Sequence, residues 1–136
     1  MASNENHKIL SYDAVTGNFE SEVPTGDELL KPTGLAMDKR GNLLVSSSGN
    51  NQVLSYDVTS PFSTPTILIS SEYIDGPSEL TIDNSLDILY VTSCKSNRVL
   101  KYDFKTGNID EIQQLTNTGK LEEPYGITIQ NNEQKK

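Results

Sequence analysis

The sequence predicts an all-β chain assembled from repeated four-stranded units, on three observations. Ser, Thr and Asn contribute 15, 12 and 12 residues against three Ala, a balance that weakens helices and favours strands joined by polar turns. Amphipathic runs of helical length are absent from the 136 residues, leaving short alternating or doubly apolar stretches. The same pattern of segments recurs about every 45 residues, and a fixed period outranks any local reading.

The clearest copies are residues 7–13 (HKILSYD), 51–57 (NQVLSYD) and 97–103 (NRVLKYD). In each, Leu and Tyr alternate at period 2, so Leu10, Leu54 and Leu100 share a strand face with Tyr12, Tyr56 and Tyr102, and that face packs between neighbouring sheets. A second motif keeps the same beat: residues 32–38 (PTGLAMD), 77–83 (PSELTID) and 124–130 (PYGITIQ). The third comprises residues 41–48 (GNLLVSSS) and 87–94 (DILYVTSC), apolar on both faces as in a sheet covered on both sides. A fourth, looser strand follows each Tyr-Asp, within residues 18–23, 66–70 and 108–115.

The connections have turn chemistry. Thr16-Gly17-Asn18 and Thr106-Gly107-Asn108 supply the Gly that a tight hairpin needs for positive φ, and residues 38–42 (DKRGN) and 83–87 (DNSLD) are turns of the same kind. In the middle copy the corresponding corner, residues 59–65 (TSPFSTP), carries two prolines and is expected to be a wider loop. Asp13, Asp57 and Asp103 recur as turn-forming aspartates. Asn51 and Asn97, with His7 in the equivalent slot, precede the third strand, where Asn tolerates the left-handed region.

Four antiparallel strands per repeat is the design of a β-propeller blade, and a blade cannot bury both of its faces without neighbours. The expected organisation is one partial β-propeller domain over residues 1–136. Its repeats lie near 7–50, 51–96 and 97–130, with a polar tail at 131–136. The expected count is about 11 strands, beginning near the end of a second strand, with Ala2 and Ser3 as its tail, and ending on a first strand at residues 126–130. Three blades do not close a ring, since propellers use about four to eight. The chain is therefore read as a fragment of a longer propeller, or as a unit that associates with copies of itself or with another chain carrying further blades. The fragment reading is preferred, because a half-ring would be expected to end at a clean repeat boundary.

The order P-x-G-[LI]-x-[MI]-D, then G-N-L-L-V or D-I-L-Y-V, then N-x-V-L-x-Y-D resembles the NHL repeat of six-bladed propellers. Lactonase-like and lyase-like propellers share this blade grammar. The resemblance covers nearly the whole chain and implies that the P-x-G segment leads into the innermost strand, with the Tyr-Asp segment as the third. Propeller sites are built at the axis, where innermost strands converge, which here points to Thr33, Ser78, Glu79 and Tyr125 as ligand-binding positions. Glu79 fills the slot that Gly34 and Gly126 occupy in the other copies. Its carboxylate is read either as a cation ligand or acid–base group, or as drift of the repeat.

Composition removes several functions. Nineteen acidic against eleven basic residues, a net charge of −8, repel a phosphate backbone and offer no basic stripe, so nucleic acid is not an expected partner. One Cys and one His are too few for structural zinc, a disulfide framework or a Ser/His/Asp system, and Cys94 is read as a small buried thiol. No apolar run approaches the roughly 20 residues of a membrane span, and the polar MASNENH start is unlike a secretion signal, so a cytoplasmic setting is expected. Gly-rich phosphate loops and nucleophile elbows are also missing. The expected function is a binding or scaffolding module without a cofactor, taking a protein or small-molecule ligand at its axial face or loops. The alternative is a calcium-dependent lactonase- or gluconolactonase-like hydrolase fragment, with Glu79 and Asn97 as partial metal ligands.

Overall fold

The computed structural model describes residues 1–23, 25–59, 64–112 and 126–130. Eleven strands form among them: β1 (Ala2–Ser3), β2 (Lys8–Tyr12), β3 (Phe19–Val23), β4 (Pro32–Met37), β5 (Asn42–Ser47), β6 (Gln52–Asp57), β7 (Thr66–Ile69), β8 (Pro77–Asp83), β9 (Ile88–Ser93), β10 (Arg98–Asp103) and β11 (Ile109–Glu111). They make three antiparallel meanders, β1-β2-β3, β4-β5-β6-β7 and β8-β9-β10-β11, one for each copy of the Tyr-Asp motif. Among the described residues no helix is long and apolar enough to cross a membrane.

The repeat is reproduced in register. Val45 pairs with Leu54 and Leu43 with Tyr56 in the second sheet, as Val91 pairs with Leu100 and Leu89 with Tyr102 in the third. The short strand β1 falls into the same frame, because Ala2↔Ile9 and Ser3↔Lys8 restate Ser46↔Val53 and Ser47↔Gln52. β4 and β8 each bulge at one point, between Pro32 and Leu35 and between Pro77 and Leu80. A bulge sharpens local twist and bends the strand, and the two bulges lie against each other where the sheets meet.

Packing follows from strand alternation in doubly covered sheets. Leu43, Val45, Leu54 and Tyr56 leave one face of the second sheet to bury with Ile9 and Leu29. Leu44, Val53 and Ile69 leave the other, to bury with Leu80, Leu89, Val91 and Leu100 of the third sheet. Each fully buried Leu or Val is worth about 1.5–3 kcal/mol relative to exposure, so these two inter-sheet layers carry most of the apolar stabilisation. Contacts between sheets concentrate on β1, β4, β5 and β8, so the sheets converge along β4 and β8 and open outward.

The aspartate turns form as their chemistry dictates. Asp13 Oδ1 accepts the N–H groups of Val15 at 2.8 Å and Thr16 at 2.7 Å. Asp38 does the same for Arg40 and Asn42, Asp57 for Thr59, Asp83 for Ser85 and Leu86 and Asp103 for Lys105. Gly17 (φ 73°) and Gly107 (φ 75°) close the tight hairpins in the left-handed region. The wider loop expected in the middle copy falls largely on residues 60–63, outside the described residues.

Two expectations are corrected. Residues 126–130, expected as a first strand, carry no ladder pairing, because an isolated strand gains nothing until a second strand accepts its hydrogen bonds. The inter-sheet role expected of every Leu-Tyr pair fails in the first copy. Leu54 and Tyr56 are 0% and 2% exposed, whereas Tyr12 is 42% exposed and Leu10 is half-buried, since among the described residues no sheet lies on that side of β2.

Candidate functional site

Three of the four positions read from the sequence meet at the line where β4 faces β8. Thr33 extends from β4, and its hydroxyl donates to the main-chain carbonyls of Pro77 at 3.0 Å and Ser78 at 3.1 Å. Its polar group is thus engaged between sheets. Gly34 lies beside it because nothing larger fits: a Cβ there would stand 2.3 Å from the Ser78 carbonyl oxygen and 3.1 Å from the Glu79 Cα. This is a steric requirement for glycine, since φ at Gly34 is not positive.

Ser78 and Glu79, both half-buried, form the β8 bulge. The Glu79 N–H, displaced from the regular ladder, donates to Thr92 Oγ1 at 2.9 Å, and the Glu79 carboxylate accepts the Leu80 N–H at 3.3 Å. Ser46 holds the place of Thr92 in the second sheet; its Oγ is buried without a hydrogen-bond partner among the described residues. Tyr125, the fourth position, lies outside the described residues.

A calcium site takes six to eight oxygen ligands. No group of three or more His, Cys, Asp or Glu that could hold a metal ion forms among the described residues. Glu79 offers one carboxylate, so this donor set does not make a calcium site by itself.

The αL position before the third strand is occupied in all three copies, at φ 57° for His7, 57° for Asn51 and 56° for Asn97. The sequence explains the conformation but not what the side chains reach. His7 Nδ1 accepts the Lys31 N–H at 2.9 Å, and Asn51 Oδ1 accepts the Gly76 N–H at 2.9 Å. Lys31 and Gly76 precede the prolines that open β4 and β8, so each side chain holds the chain leading into the following sheet.

Ser47 and Ser93 tie the same segment. Ser47 Oγ accepts from the Leu30 N–H at 2.9 Å and faces the Leu30 carbonyl at 3.1 Å, and Ser93 repeats this with Asp75 at 3.0 and 2.9 Å. The recurring Ser at the end of the GNLLVSSS and DILYVTSC segments was the available signal.

At the opposite end of the sheets, Arg40 of the β4–β5 turn forks onto Asp87 of the β8–β9 turn, donating from both terminal guanidinium nitrogens to the two carboxylate oxygens. It also lies 5.0 Å from the centre of the Phe104 ring. Hydrogen bonding from Arg40 holds the buried Asp87 carboxyl below its usual range and raises the guanidinium in turn. Burial pushes the Tyr56 phenol upward, with Glu28 adding to it, while its O–H donates to the Thr25 carbonyl at 2.9 Å. A groove of about 550 Å³ opens beside the first sheet, lined by His7, Lys8, Glu22, Asp27 and Leu29 among others, away from the β4–β8 line.

Four-stranded meanders converging on their first strands are β-propeller blades, and solved structures agree. Virginiamycin B lyase from Staphylococcus aureus superposes with a TM-score of 0.57 at 18% identity, over 84% of this chain and 36% of that one. A 6-phosphogluconolactonase candidate from Bacteroides uniformis superposes with a TM-score of 0.52 at 13% identity, over 78% of this chain and 35% of that one. The likeness is one of fold, and the chain spans about a third of the length of these proteins. No family model and no curated protein matches the sequence.

Proposed function

We propose that the chain is an NHL-type set of propeller blades acting as a binding or scaffolding module, through its loops and the edge where β4 and β8 converge. One observation carries this reading: the polar side chains that recur from copy to copy are engaged in building blades. Ser47 and Ser93 tie the lead-in segments, His7 and Asn51 hold the following blade, and the aspartates close turns. A repeated group committed to architecture is not available for bond chemistry, and a fold of this class does not itself dictate an activity.

The competing reading, a calcium-dependent hydrolase, draws on Glu79, the one carboxylate standing where the other copies have glycine. Isothermal titration of the chain with calcium separates the two. The module reading expects no binding heat and no rise in melting temperature at millimolar calcium. Saturable binding that Glu79→Gln abolishes would transfer support to the hydrolase.

A further inference from the structure

The slot before the third strand holds Asn51 in the second copy and His7 in the first, and this one exchange changes what the contact responds to. Both residues stand at φ 57°, and both accept a main-chain N–H of the segment leading into the next blade at 2.9 Å, Asn51 from Gly76 and His7 from Lys31. An amide oxygen accepts at any pH. An imidazole accepts at Nδ1 only while neutral, with its proton on Nε2, and the imidazolium is a donor at both nitrogens. Histidine is also the side chain whose charge ordinarily changes between about pH 5 and 8.

The residue that His7 engages is one that needs holding. Lys31 lies at φ 48° where Gly76 lies at φ 66° in the next copy, and a residue with a Cβ is disfavoured in this region whereas glycine is not. Its two main-chain groups are fastened to different blades. The Lys31 carbonyl accepts the Ser48 N–H at 3.2 Å and the Ser48 hydroxyl at 2.7 Å, while its N–H reaches back to His7 of the first blade. Loss of the His7 contact leaves the segment anchored to the second blade through Ser47, Ser48 and the buried Leu29 and removes its hydrogen bond to the first.

This bond joins the two sides of the groove of about 550 Å³: His7, Lys8 and Glu22 come from the first blade, and Asp27, Leu29 and Leu30 from the segment before β4. The charged groups that share the site with the ring are Lys8 of β2, Glu22 of β3, and Asp27 and Lys31 of the segment, with Glu5 two residues before it in its own loop. Lys8 and Glu22 pair with each other at 2.7 Å. Carboxylates and ammonium groups ordinarily keep their charge across the histidine window.

We propose that His7 is a proton-operated latch between the first two blades. The neutral ring ties the segment before β4 to the first blade; the protonated ring releases it and loosens one wall of the groove. The joint between the second and third blades, latched by Asn51, stays shut. The His7 ring is exposed, so a proton reaches it without prior opening of the chain.

Amide hydrogen exchange of the isotopically labelled full chain, corrected for intrinsic rates, tests this at about pH 8 and about pH 5. Protection of the Lys31 amide is expected to fall about fivefold at the lower pH, the net loss of one hydrogen bond, while that of Gly76 holds. His7 is the one histidine of the chain, so its ring nitrogens are assigned without ambiguity, and their shifts should report the Nε2–H tautomer at the higher pH. His7→Asn installs the second blade's latch in the first. Asn occupies this left-handed slot in the other two copies, so the variant should fold, and its Lys31 protection is expected to be equal at both pH values. A neutral ring carrying its proton on Nδ1, Lys31 protection indifferent to pH, a fall at Gly76 as large as that at Lys31, or a fall that persists in His7→Asn would overturn the proposal.

Discussion

Gly34 shows how one residue sets the distance between two blades. Its missing side chain is the space through which β4 and β8 approach, and the obstacle a Cβ would meet is main chain, which cannot rotate away. Gly34→Ala is expected to destabilise the chain by about 2 kcal/mol, in the range for overpacking a tight site, as read from urea unfolding. Ser78→Ala, at the residue whose carbonyl makes the contact, should change stability by less than about 0.5 kcal/mol, because its own hydroxyl is not what touches Gly34. The αL residues belong to the same scale. The sequence accounts for their backbone, since Asn and, less readily, His enter that region with a local polar side chain. It does not show that Asn51 reaches the Gly76 N–H and His7 the Lys31 N–H, because those partners are 25 and 24 residues away.

Each strand is legible from its own residues, and each lead-in segment is not. Alternation of apolar side chains located β2, β6 and β10 through the Leu-Tyr pairs, and doubly apolar runs located β5 and β9, because side-chain direction along a strand is a local property of period 2. The segments before β4 and β8 have no such period and are held by side chains from elsewhere. Ser93 is the clearest case: its one hydroxyl bonds both the N–H and the carbonyl of Asp75 and is fully buried. Ser93→Ala leaves both main-chain groups without that partner, and a loss of about 1–3 kcal/mol is expected, measured by chemical denaturation. Hydrogen exchange at Asp75 should quicken more than exchange in β6, since the tie is local to the third blade. Strand β1 is legible only through the repeat. Two residues hold no period of their own, yet the repeat frame places Ala2 and Ser3 at the tail of a second strand, and they pair there with Ile9 and Lys8.

The whole molecule is held by apolar layers between blades and by an electrostatic clip at one end, and acid tests the second. Asp87 is held low chiefly by its hydrogen bonds from Arg40. Asp13, Asp57 and Asp83 are held low by turn hydrogen bonds, led by the Thr16 N–H, the Thr59 hydroxyl and the Ser85 hydroxyl respectively. A carboxyl whose pKa is lower folded than unfolded binds fewer protons in the native state. Its stabilisation is complete above the ordinary value of 3.8 and disappears as the pH falls through the depressed one. The melting temperature is accordingly expected to decline as the pH is lowered below about 4, and Asp87→Asn should make that decline shallower. An unchanged slope would assign the acid sensitivity to the turn aspartates instead.

Fold class, strand order and turns were determined by the sequence alone, because alternation, glycine at positive φ and aspartates capping turns each act within a few residues and recur at a fixed interval. The tertiary structure alone decided which of those equivalent residues are equivalent in fact. Tyr12, Tyr56 and Tyr102 occupy one motif position, but only stacking says which has a blade against it. Thr33 and Ser78 are assigned to the axis by the repeat, but only the tertiary structure shows that the Thr33 hydroxyl donates to the Pro77 and Ser78 carbonyls. Burial and long-range hydrogen bonds depend on what lies across an interface, and no stretch of chain carries that information by itself.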